Sequence, residues 1–113
     1  MPFVEVKANF EIEEAKVLSI KDRLGKLIEL LPGKSAKWLM VQVEDNKKIF
    51  FDSSADKAIL VQVDLYGKSD DKSLNTFTAN ISEYLESELG VSKKRIYVRY
   101  LNTDHWGYDG ENF

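Results

Sequence analysis

Phe3-Val4-Glu5-Val6 and Leu60-Val61-Gln62-Val63 carry one alternating pattern, 57 residues apart. The same offset persists downstream. Val17, Ile20, Leu24, Leu27 and Ile28 fall on Leu74, Phe77, Ile81, Tyr84 and Leu85. Gly33, Ser35 and Lys37 fall on Gly90, Ser92 and Lys94, and Leu39, Val41 and Val43 on Ile96, Val98 and Tyr100. Two copies are too few for a solenoid, which needs about three. They suit one domain over residues 1–113, built as β-α-β twice with a pseudo-twofold relation. The fold expected is α+β, with four strands in one sheet. Both helices lie on one face, because β-α-β crossovers are right-handed.

The individual elements follow from periodicity. Residues 3–8 alternate, with Val4, Val6 and Ala8 on one face, as in a half-buried strand. Residues 12–31 carry apolar side chains at helical spacing up to Leu31, and Pro32-Gly33 ends the run. Trp38 to Val43 reads as a strand, Asp45 to Lys48 as a turn, and Ile49-Phe50-Phe51 as a short strand. Residues 58–66 form another strand. Ser69 or Asp70 caps the helix that follows, and Gly90 stops it. Arg95 to Tyr100 is the last long strand, and Leu101 to Phe113 a tail.

The sheet face away from the helices carries Phe3, Glu5, Lys7, Trp38, Met40, Gln42, Leu60, Gln62, Asp64, Tyr66, Arg95, Tyr97 and Arg99. It is too apolar for a solvated surface and too polar for a core. A subunit interface holding a polar network or a site fits such a mixture. The other reading is a face partly covered by the tail.

Composition narrows the function. The chain has 113 residues, 43% hydrophobic and 31% charged, with a net charge of −3. Nucleic acid and anionic membranes are not expected partners. The third strand also lacks the basic-aromatic signature of RNA-recognition modules. Without cysteine there is no disulfide, thiolate metal site or Cys nucleophile. His105 is the single histidine, and no metal-ligand cluster or nucleophile elbow surrounds it. Gly25-Lys26, Gly33-Lys34 and Gly67-Lys68 lack phosphate-loop spacing. No signal peptide or membrane span is evident, so the expected location is cytoplasmic, with non-classical secretion left open.

Met1-Pro2 is the unusual opening. Proline is tolerated as the first residue of a strand. Once Met1 is removed, Pro2 presents a secondary amine able to act as base or nucleophile. The plainer reading is that Pro2 only starts the strand.

Several segments together resemble the macrophage migration inhibitory factor family of the tautomerase superfamily. They are Met1-Pro2 before a strand, Pro32-Gly33-Lys34 before Trp38, and Phe51-Asp52-Ser53-Ser54. Tyr66-Gly67-Lys68, Arg95-Ile96-Tyr97-Val98 and Trp106-Gly107-Tyr108 to Phe113 complete the set. The resemblance spans essentially the whole chain. It implies a homotrimer that catalyses keto–enol tautomerisation of phenylpyruvate-like or dopachrome-like carboxylates without a cofactor. Pro2 matches the catalytic base and Lys34 the lysine that meets the substrate carboxylate. Tyr97 matches a tyrosine supplied by the neighbouring subunit. Trp38 and Tyr108 match aromatic walls, beside Phe3, Trp106 and Phe113.

The chain departs from well-known members at Tyr66, Arg99 and Tyr108, where they carry Ile, Asn and Trp. It also lacks their Cys-x-x-Cys, so an oxidoreductase role is not expected. In the expected mechanism, Lys34 and Arg99 orient the substrate carboxylate. Neutral Pro2 moves the proton, and Tyr97 stabilises the developing oxyanion. A catalytically weak, cytokine-type binding protein on the same scaffold is the alternative, its receptor unspecified. A superfamily member using Pro2 for hydration, dehalogenation or decarboxylation is a third.

Overall fold

The computed structural model describes residues 1–113. Its main sheet contains β1 (Pro2–Ala8), β2 (Met40–Glu44), β3 (Ile59–Tyr66) and β4 (Ile96–Thr103), in the order β2-β1-β3-β4. β1 runs parallel to β2, β3 parallel to β4, and β1 antiparallel to β3. Two β-α-β units thus meet at the central pair, as the offset of 57 predicts. Helices α1 (Glu14–Leu27) and α2 (Asp71–Leu89) pack against one face.

Alternation in β1 and β3 sends Val4, Val6, Ala8, Val61, Val63 and Leu65 under the helices, all fully buried. Ile20 and Leu24 of α1 and Phe77, Ile81 and Leu85 of α2 close on them. A 3.1 Å ion pair between Lys16 Nζ and Glu88 Oε1 joins the helices outside this core. Between the two cap candidates, Asp70 is the one used: its carboxylate accepts from the Ser73 N–H at 2.9 Å. Gly90 ends α2 in the left-handed conformation at φ 68°, which spares the Cβ strain another residue would meet.

Several boundaries differ from expectation, among them the end of β4, which runs on to Thr103 where Tyr100 was expected. The helix expected over 12–31 starts at Glu14, stops at Leu27 and tightens into a 3₁₀ turn over Ile28–Leu30. Residues three apart eclipse in that geometry, so Ile28 and Leu31 both enter the core. Trp38 lies in a 3₁₀ turn (Ala36–Trp38), and the strand begins only at Met40. Ile49 and Phe50 form no strand; Phe51 bridges only to Ser54 across a tight turn. Arg95 belongs to a 3₁₀ turn (Lys93–Arg95) and not to β4, because its guanidinium is bound to a neighbouring loop. The tail also gains order as a small hairpin of β5 (Gly107–Tyr108) and β6 (Glu111–Asn112). No helix is long and apolar enough to cross a membrane.

Phe77 lies at the centre of the core, fully buried, with its ring 6.3 Å from that of Tyr100. Phe77→Ala should cost about 3–5 kcal/mol, read as a lower urea midpoint at an unchanged denaturant slope. A loss under about 1 kcal/mol would mean that this packing is not central.

Candidate functional site

The N-terminal end of β1 forms one wall of a cavity of about 340 Å³. Met1, Pro2 and Phe3 line it, with Lys37, Trp38, Leu39 and Met40 from the approach to β2 and Trp106, Gly107 and Tyr108 from the tail. Pro2 is buried in its own chain. The Trp38 and Tyr108 rings meet edge to face at 5.1 Å, which brings the tail hairpin onto the 3₁₀ turn. Tyr66 and Phe113 make a similar contact at 5.4 Å, and the Phe113 N–H donates to the Trp106 carbonyl at 3.0 Å. The Tyr66 N–H donates to the Met1 carbonyl at 3.2 Å, tying that aromatic pair to the chain start.

Lys34 supplies charge at this end. Its Nζ donates to the Tyr66 carbonyl at 2.9 Å. The ammonium carries three donors, so this bond leaves donors for a ligand. The Met1 amine is held below its ordinary value, first by burial, then by the Lys34 charge and a hydrogen bond to Lys34. Both main causes disfavour the cation. In this structure the Pro2 nitrogen is an amide, since Met1 precedes it. The Met1 amine is therefore the only gauge of what a free amine experiences near Pro2.

Pro2, Phe3, Trp38, Trp106 and Tyr108 therefore share one cavity, with Lys34, Tyr66 and Phe113 linked to the same chain terminus. Tyr97 and Arg99 do not join them. Tyr97 stands opposite Leu60 in β3, whereas Pro2 stands opposite Leu65. Five residues along a strand span about 17 Å. The Tyr97 ring packs instead on Phe51, at 4.8 Å. Arg99 donates to the Gln62 side chain and forms no ion pair with a carboxylate. Tyr97, Arg99, Leu101 and Met40 are exposed on the open sheet face. Lys37 went unnoticed as a lining residue. Its Nζ lies 5.0 Å from the Trp38 ring centroid, and strand alternation offered no signal because both residues sit in a turn. No group of three or more His, Cys, Asp or Glu side chains could hold a metal.

This architecture is that of an α+β protein with twin β-α-β units and a terminal strand opening into an aromatic cavity. A sequence profile of the macrophage migration inhibitory factor family matches residues 1–113. The chain belongs to that family, within the tautomerase superfamily. A macrophage migration inhibitory factor of Xenopus tropicalis is 22% identical over 92 residues, covering 80% of each chain. The crystal structure of Leishmania major MIF2 matches with a TM-score of 0.93 and 27% identity, covering 100% of this chain and 97% of that one. The MIF-like protein of Entamoeba histolytica matches in fold, with a TM-score of 0.86, 18% identity and coverage of 99% and 98%.

Lys34→Met should raise the Met1 amine toward its ordinary value, because two of the three causes depressing it, the Lys34 charge and the hydrogen bond to Lys34, are lost. Part of the depression should remain, since burial is the largest cause. The check is the pH midpoint of terminal-amine acylation, followed by mass spectrometry. An unmoved or falling midpoint would contradict this electrostatic account.

Proposed function

We propose that the protein is a cofactor-independent tautomerase of small aryl carboxylates, working through a free Pro2 amine. The observation that carries this reading is Pro2 buried in the wall of an aromatic cavity, beside a chain-terminal amine depressed by burial and by Lys34. An exposed α-amine titrates at about 7.7–8.0. An amine held below that range has a larger neutral fraction near pH 7 than an exposed one, and the neutral form can accept a proton.

The proposed cycle requires few groups. The substrate carboxylate pairs with Lys34, and its aryl ring lies between Phe3, Trp38, Trp106 and Tyr108. The Pro2 amine removes a proton from the carbon beside the carbonyl and returns it to another atom of the same molecule. A hydrogen-bond donor is needed where negative charge develops on the carbonyl oxygen. Tyr97 is assigned that part, together with Arg99 as a second carboxylate partner, both from a neighbouring copy. Their separation from Pro2 within one chain supports that assignment, as do their exposure and the unpaired edge strands β2 and β4. One patch meeting a different patch closes into a ring, and a ring of three is what the family resemblance implies. Light scattering should report a trimer at micromolar concentration; a monomer would remove Tyr97 and Arg99 from the site.

The decisive experiment compares phenylpyruvate tautomerisation by chains shown by mass spectrometry to begin at Pro2 or to retain Met1. The Pro2 chain should be active, and its activity should rise with pH through one ionisation below the ordinary amine value. The sign follows from the shift: a depressed pKa leaves the free base present at lower pH. The Met1 chain should fold and assemble alike but lack turnover, because an amide nitrogen is not a base. Equal activity in the two chains would refute the role of Pro2.

Arg99→Asn should raise KM for carboxylate substrates about tenfold, as expected for loss of one charge-assisted contact. Methyl esters should be affected far less. Equal losses for acid and ester would take Arg99 out of carboxylate recognition.

A further inference from the structure

The loop between β2 and β3 is held more firmly than a surface connection requires. The Arg95 guanidinium donates to the carbonyls of Phe51 (3.0 Å), Ser54 (3.2 Å), Asp56 (3.0 Å) and Lys57 (3.0 Å). From the other side, the Asn9 amide donates to the carbonyls of Ile49, Ala55 and Asp56 and accepts from the Ala58 N–H at 2.8 Å. Between these anchors, Phe51 and Ser54 exchange backbone bonds of 3.0 Å in both directions. The turn they close puts Asp52 and Ser53 at φ 52° and 57°. Left-handed backbone at two successive non-glycine residues is strained, and persists only where its surroundings impose it.

Phe51, partly buried in the anchored turn, has two neighbours at its ring: the Arg95 guanidinium, 5.2 Å from its centroid, and the Tyr97 ring, 4.8 Å away at an interplanar angle of 60°. Tyr97 itself is an exposed side chain on an edge strand. Without Phe51 its rotamer is restrained by little in its own chain. The loop is also remote from the cavity of its own chain, so its rigidity does not serve that cavity directly.

We propose that Arg95 is a positioning residue: it clamps the 51–57 turn so that Phe51 sets the Tyr97 ring before that ring reaches a neighbouring copy's cavity. This rests on the proposed function, which assigns Tyr97 to a neighbour's site. A donor aimed in advance does not have to be reoriented during the reaction. Arginine suits the task because its planar fork reaches several carbonyls at fixed angles while its face stacks on an aromatic ring. Lysine keeps the charge but offers neither.

The test uses the Pro2-initiated protein and three variants: Arg95→Lys, Tyr97→Phe and the double variant. Arg95→Lys should lower kcat about ten- to a hundredfold, the scale of a misplaced catalytic group, with KM nearly constant and the trimer retained. In the Tyr97→Phe background the same change should lower kcat less than about twofold, because residues acting through one group are not additive. NMR supplies a readout independent of turnover. Tyr97 ring resonances should shift or broaden in Arg95→Lys, but not in Lys94→Gln, a control on the same turn. Unchanged Tyr97 resonances, or kcat losses that multiply in the double variant, would overturn the inference. If the parent protein assembles without turnover, the tautomerase reading fails by itself, and the NMR comparison decides whether Arg95 sets Tyr97.

Discussion

In the antiparallel pairing of β1 with β3, Val4 stands opposite Val63 and Val6 opposite Val61, and all four are fully buried. This register constrains everything around it. A slip of one residue would turn the apolar face outward and put Phe3, Glu5, Gln62 and Asp64 under the helices. The same pairing places Pro2 opposite Leu65 at one end of the sheet and Ala8 opposite Ile59 at the other. β2 and β4 then add in parallel on either side, which leaves both edges and one full face without partners within the chain.

The open face shows how one chain can hold a site it does not complete. Its polar side chains bond mainly to each other: Lys7 with Glu5 at 3.6 Å, Gln62 with Asp64 at 3.1 Å, and Arg99 with Gln62. The amide of Gln62 satisfies part of the Arg99 fork without cancelling its charge. At the other end, the cavity lining contains Lys37 and no carboxylate. Lys34, Lys37 and Arg99, none of them in an ion pair, are therefore available to the anionic ligand proposed to bind. Burial and the Lys34 charge act together on the terminal amine, whereas opposed effects would leave it near its ordinary value.

The core was largely legible in the sequence, because it is written in periodicity. Alternation in residues 3–8 and 58–66 and the spacing of Leu74, Phe77, Ile81 and Leu85 each match a buried face. The offset of 57 carried the topology, since two equal β-α-β units have few ways to share one sheet. Boundaries were less legible where tertiary bonds override local pattern. Trp38 continues the apolar run of its strand by composition, yet its backbone turns to face Tyr108. Arg95 reads as the first residue of a strand, yet its guanidinium has more to gain from the carbonyls of the 51–57 turn. The terminal hairpin was legible but went unread: Asp109-Gly110 between Gly107-Tyr108 and Glu111-Asn112 is a two-residue hairpin turn, with both residues at positive φ.

By itself, then, the sequence determined the two-layer fold, the twin units and the residue types available for chemistry. Hydrophobic period and chain direction act locally, and one chain is enough to express them. Tertiary structure alone decided which of those residues meet. It gathered Pro2, Phe3, Trp38, Trp106 and Tyr108 around one cavity from three distant segments. It also set Tyr97 and Arg99 far along the sheet from Pro2, although every one of them had been marked as a candidate. Distance across a sheet depends on register and strand order, which are properties of the packed core and of no single stretch of the chain.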